Sequence, residues 1–119
     1  MGKINSRAKG CRGEREFANL LKAAGHEARR GQQFAGGNDS PDVVTSLPYH
    51  FEVKRTEALS LYKAMAQAKR DAVRGKPPVV AHKRNGEEWL VVLRFEDFLK
   101  MVEHEKTPRK TTRIIRRLS

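Results

Sequence analysis

The residues in this chain that could do chemistry together are Asp42, Glu52 and Lys54. They lie in the stretch from Pro41 to Lys54, P-D-V-V-T-S-L-P-Y-H-F-E-V-K. Asp42 opens a β-branched pair, Val43 and Val44, and a polar break from Thr45 to Pro48 then turns the chain. Tyr49 to Lys54 reads as a second strand, with Phe51 and Val53 alternating against His50, Glu52 and Lys54. Side chains alternate faces along a strand, so Glu52 and Lys54 point the same way. If the two segments form a hairpin, Asp42 comes close to that pair. Two carboxylates and an ammonium at one spot suit metal-assisted cleavage of a phosphodiester. The carboxylates hold a hard, oxygen-seeking cation such as Mg2+, and the lysine offers positive charge to a nucleophilic water or a phosphate oxygen. P-D and E-x-K are short, common strings, so the stretch also reads as a β-hairpin with a surface salt bridge.

Several elements must position these groups. A helix is predicted from Gly13, with Phe17, Leu20, Leu21 and Ala24 as its buried stripe and Gly25 as its stop. Glu14 lies on the inward side of that helix, one turn above the core. It reads either as an acid favoured by the helix dipole or as a third carboxylate leaning over the site. His26 to Arg30 is predicted to be a short edge strand. Gly31 to Ser40 is a polar, glycine-rich loop that feeds into Asp42 and lacks the lysine and spacing of a P-loop.

Beyond Lys54, a helical run carries Leu61, Ala64, Met65 and Ala68 as its stripe, with Gln67 beside it. A semi-buried amide there can bond a site water or an acidic ligand. Gly75 to Pro78 breaks the helix. Strands are predicted at Val79 to Lys83 and Trp89 to Leu93, joined through Asn85-Gly86, a strong hairpin signal. Trp89 is expected at a core edge. Phe95, Phe98, Leu99 and Val102 mark a final amphipathic helix.

Composition bounds the function. At 119 residues the chain is one domain with a modest core. The net charge of +11 predicts a polyanionic partner, nucleic acid first and an acidic membrane second. The single Cys11 excludes an internal disulfide and a cysteine-built zinc site, and suits a reducing cytoplasm. No apolar run approaches the ~20 residues of a membrane span, and the N-terminus lacks the apolar stretch of a signal peptide. The organisation expected is a basic arm over 1–12, a domain over 13–105 and a basic tail over 106–119. The arm, with Lys3, Arg7, Lys9 and Arg12, reads as phosphate contact. The tail, K-T-P-R-K-T-T-R-I-I-R-R-L-S, reads as tracking a phosphate backbone, while Ile114, Ile115 and Leu118 also allow docking on a partner subunit. The four histidines are scattered, and none has zinc-ligand spacing. His50 shares a face with Glu52 and is given no role.

In order, these elements and motifs resemble the PD-(D/E)xK nuclease superfamily, and more narrowly the archaeal-type Holliday junction resolvases and their phage-encoded relatives. The matching residues are Lys9-Gly10, Gly13-Glu14-Arg15-Glu16-Phe17, Arg30, Pro41-Asp42-Val43-Val44, Phe51-Glu52-Val53-Lys54, Gln67-Ala68-Lys69 and Pro78-Val79-Val80-Ala81. The resemblance implies an α/β, restriction-endonuclease-like fold, a mixed β-sheet flanked by helices. It also implies a homodimer that cleaves DNA, four-way junctions above all, with Mg2+ or, as a substitute, Mn2+. Asp42 and Glu52 would ligate the metal with the Val53 backbone carbonyl, Lys54 would orient or activate the attacking water, and Glu14 would complete the acidic cluster. Lys9, Arg15, Arg30 and Gln67 are the candidate nucleic-acid contacts. The loop over 31–40 and the basic tail depart from the family pattern and leave the DNA substrate open. The alternatives are a non-catalytic nucleic-acid-binding module on the same fold and a basic RNA-binding protein.

Overall fold

A computed structural model of the chain describes residues 6–31 and 42–105, with side chains from Gly10 onward. Residues 32–40 of the loop expected over 31–40, and the tail over 106–119, lie outside the described residues. The elements in order are α1 (Ser6–Ala23), β1 (Ala28–Arg30), β2 (Val43–Thr45), β3 (His50–Arg55), α2 (Leu61–Asp71), β4 (Pro78–Lys83) and β5 (Leu90–Leu93). A third helix, α3, spans 95–105. The architecture is α/β with mixed strand directions and fits the restriction-endonuclease-like class.

The strands form two sheets. β1 and β2 pair antiparallel, Arg29 opposite Val44. β3, β4 and β5 form the second, with β4 central, parallel to β3 and antiparallel to β5. The parallel pair is joined through α2, the crossover that such a pair requires. The pairing of β2 with β3 considered from the sequence does not form; β2 pairs with β1, and β3 joins β4 in the other sheet. Thr45 helps hold that arrangement: its Oγ1 donates to the Glu27 carbonyl at 2.6 Å and accepts from Leu47 N.

One core cluster joins Phe17 and Ala18 of α1 to Ala28, Val43, Phe51, Val53, Val79 and Ala81. Phe17 stands 5.1 Å from Phe51 and 5.2 Å from Trp89, centroid to centroid, so Trp89 packs at a core edge. A second cluster, Ala64 and Ala68 of α2 with Val80, is packed by Met65 and Val92. His50 to Val53 are all buried, so β3 is covered on both faces instead of alternating inside and out.

α1 departs from expectation in two ways. It begins at Ser6, so the part of the basic arm from Ser6 to Arg12 is helical. Its buried face is Gly13, Phe17, Ala18 and, partly, Leu21, whereas Leu20 and Ala24 are exposed. Leu20 sits at the stripe's edge, and Ala24 lies past the last turn. That turn closes as expected at Gly25, whose φ is 98°. Gly25 N donates to Lys22 O and His26 N to Leu21 O, the two bonds of a Schellman cap. At the other end, Gly13 lets α1 approach β3, since a Cβ there would lie 2.5 Å from Arg55 Cβ.

Candidate active site

Asp42 stands at the mouth of β2 and reaches across to the other sheet. Its Oδ2 accepts the Val53 backbone N–H at 2.8 Å, a buried bond. One strand further in, Glu52 and Lys54 lie side by side as their i, i+2 spacing requires, with Lys54 Nζ 3.5 Å from Glu52 Oε2. Lys54 also donates to Gln67 Oε1 at 2.9 Å. The amide beside the α2 stripe therefore anchors the lysine.

Burial sets the electrostatics. Glu52 is 4 % exposed. Desolvation and then the Asp42 charge push its carboxyl up to about 7, against the opposing pull of Lys54. Asp42 is likewise raised by burial, with the Val53 N–H and the Lys54 charge pulling it back. Glu14 is raised by burial and then by Asp42, while Arg30 lowers it. Three carboxyl groups thus carry a penalty for being charged that a cation would relieve.

Glu14 faces inward as the sequence implies, but its carboxylate is held by Arg30, Nε to Oε1 at 3.0 Å. Arg30 also donates from Nη2 to Cys11 Sγ at 2.8 Å. Among the described residues, no three His, Cys, Asp or Glu side chains meet closely enough to cage a metal ion. Asp42 and Glu52 form a pair of carboxylates, both raised by burial and Glu52 also by Asp42, that could hold a cation. That is the number Mg2+ commonly takes from protein, water and phosphate filling its remaining positions. Arg15 is exposed on α1, and the Lys9 side chain lies outside the described residues.

Two nearby groups had no role assigned from the sequence, where Asp71 was not considered and His50 was noted only for sharing a face with Glu52. Asp71 adds negative charge felt by Asp42, Glu52 and His50. Its signal was present, because Asp71 falls one turn after Gln67 and so shares its side of α2. His50 is buried, and among the described residues neither ring nitrogen has a hydrogen-bond partner. Burial lowers its pKa against the opposing pull of Asp42 and Asp71.

The family described as phage putative PDDEXK endonuclease matches residues 5–118, almost the whole chain. This chain belongs to that family. It is thus grouped with nucleases of the PD-(D/E)xK superfamily, and DNA is the substrate that grouping implies. No curated protein matches the chain significantly. Among the described residues no helix is long and apolar enough to cross a membrane.

Proposed function

We propose that this PDDEXK family member is a Mg2+-dependent endodeoxyribonuclease selective for branched DNA, a Holliday junction resolvase that acts as a homodimer in the cytoplasm of a bacterial or phage-infected cell. The observation that carries the reading is the approach of Asp42, from beside β2, to the β3 segment that bears Glu52 and Lys54: Asp42 accepts the Val53 N–H, and Lys54 pairs with Glu52. Asp42 and Glu52 are the metal-holding carboxylates. The Val53 carbonyl is a third oxygen donor, because the N–H and C=O of one strand residue leave on the same edge and its N–H already meets Asp42. A bound Mg2+, or Mn2+ in its place, supplies Lewis-acid charge at the phosphate and makes bound water more acidic.

The chain's own groups do the rest. Lys54, fixed between Glu52 and Gln67, aims an ammonium N–H at the attacking water or at the phosphate oxygen that gains charge. Gln67 is thus a positioning residue. Lys9, Arg15 and Arg30 contribute phosphate contacts along the α1 side of the site, with Arg30 oriented by Glu14.

The test is cleavage of a labelled four-way junction against matched duplex and single strand, in Mg2+ and in EDTA, with Glu52→Ala as control. Paired, symmetric, Mg2+-dependent nicks on the junction alone are expected. Cutting of every substrate keeps the nuclease and removes the junction selectivity. Tight binding without metal-dependent cutting replaces the enzyme with a binding module.

A further inference from the structure

The outer face of α2 carries cations and an aromatic ring and no acid. At about 100° per residue, Tyr62, Lys63, Ala66, Lys69 and Arg70 fall within about 120° of one another. All of them are exposed, Tyr62 at 88 %. Ala64 and Ala68 lie on the opposite side, buried with Val80. The one acid of the helix, Asp71, falls on that inner side as well. Among the described residues no carboxylate pairs with Lys63, Lys69 or Arg70. A solvated helix surface commonly mixes both signs of charge. Three like cations around a bare ring call instead for an anionic partner.

This face is continuous with the site. Gln67 accepts from Lys54 Nζ at 2.9 Å. Lys63 stands four residues before Gln67 and Arg70 three after, the spacings at which helical side chains are neighbours. Tyr62, Ala66 and Lys69 come next round the helix. The cations therefore lead outward over α2 from Lys54, whose side chain is 30 % exposed. α1 covers the other face of the sheet, because Val79 and Ala81 cluster with Phe17 and Ala18 while Val80 clusters with α2. The α2 face is thus separate from the phosphate contacts proposed on the α1 side. A helix is about 10–12 Å across, so a strand crossing α2 from Lys54 spans about three phosphates at roughly 3.4 Å each.

The ring decides the form of the nucleic acid. In a duplex the base faces are stacked on one another, and cations alone serve its phosphates. An exposed ring among cations is the arrangement that holds an unpaired strand, each base offering a π-face to stack on. Ala66, one turn beyond Tyr62, is too small to cover the ring. We infer that the outer face of α2 binds an unpaired DNA segment adjoining the cleaved phosphate, with Tyr62 stacked on a base and Lys63, Lys69 and Arg70 on the phosphates. The inference rests on the reading of the chain as a DNA nuclease, and adds that a branch is recognised through its unpaired strand.

Fluorescence anisotropy on the full-length chain in EDTA tests this, with a labelled thymidine oligonucleotide and a labelled blunt duplex as probes. Tyr62→Ala is expected to weaken binding of the oligonucleotide by about tenfold and of the duplex by less than about twofold, while Tyr62→Phe binds both like wild type. K63Q/K69Q/R70Q is expected to lower the slope of log affinity against log salt on the oligonucleotide by about 2. The substituted side chains are exposed, so each variant should unfold at the wild-type denaturant midpoint. Unchanged affinity in Tyr62→Ala, an equal loss on both probes, or an unchanged salt slope overturns the inference. No cleavage is read, so the nuclease reading stands or falls separately. A chain that shows the Tyr62 effect but cuts no junction in Mg2+ upholds binding by this face and removes the resolvase. A chain that cuts junctions while Tyr62→Ala binds like wild type keeps the resolvase and overturns this face.

Discussion

Replacing Glu52 by glutamine tests the electrostatics of the site without requiring any turnover. The carboxyl is buried, and its pKa is pushed from 4.5 to about 7 by desolvation and by Asp42. Because the folded value lies above the unfolded one, the folded chain binds more protons between those two pH values. Stability therefore falls as pH rises from about 4.5 to about 7, and the full penalty is present above that window. The shift corresponds to about 3 kcal/mol at 1.36 kcal/mol per pH unit. Glu52→Gln keeps the shape and removes the charge. In EDTA the variant should match wild type near pH 4 and exceed it by about 2–3 kcal/mol at pH 8, a rise in Tm of roughly 10 °C for a domain of this size. His50, with its lowered pKa, contributes with the opposite sign, its stabilisation growing as pH rises toward 6.5. It is present in both proteins, so the difference between their pH curves isolates Glu52 and the relief its loss gives Asp42. Saturating Mg2+ should reverse the order at pH 8, because only wild type keeps both carboxylates for the cation. Denaturant or thermal unfolding from pH 4 to 8, with and without Mg2+, supplies the data. Parallel pH curves in EDTA, or an equal Mg2+ gain in both proteins, would refute the argument.

Other substitutions probe single contacts. Lys54→Ala should lower the cleavage rate by 10²-fold or more while metal binding, followed by calorimetry, is retained; an undiminished rate removes the lysine from the mechanism. Gln67→Leu takes away the Lys54 anchor and should cost about 10-fold in kcat with little change in KM, and Gln67→Glu should restore most of it. Gly13→Ala places a Cβ 2.5 Å from Arg55 Cβ and should destabilise by about 1–3 kcal/mol, read as a lower denaturant midpoint. Asp97→Ala leaves Arg94 without its buried acceptor at the start of α3 and should cost about 1–3 kcal/mol, seen first as faster exchange in that helix.

The parts of the fold legible in the sequence were those set by local rules. Gly25 announced the end of α1, Asn85-Gly86 the turn between β4 and β5, and the Phe51 to Lys54 run the strand that carries Glu52 and Lys54. The i, i+2 rule put those two side chains together without knowledge of the fold. What the sequence left open depended on tertiary partners. The pairing of β2 with β1, not β3, follows from contacts between segments far apart in the chain. The stripe of α3, exposed at Phe95, Phe98 and Leu99, inverts the usual meaning of an amphipathic pattern, which says that an apolar face exists and not what covers it. Glu14 was placed on the correct side of its helix, but its engagement with Arg30 depended on where β1 came to rest. Asp71 was missed even though its spacing from Gln67 carried the signal, because a carboxylate in the last turn of a basic helix ordinarily faces solvent.

The bond from Asp42 to the Val53 amide has a consequence in time. The three motif residues leave the ribosome within a short stretch of synthesis, but β3 gains its ladder partner only when β4 follows, after α2 has been made. Until then β3 has no ladder to fix the register in which Val53 receives the Asp42 carboxylate, and Lys54 lacks the α2 amide that steadies it. A nascent chain, or one cut between β3 and β4, therefore carries Asp42, Glu52 and Lys54 without the ladder and the amide that place them.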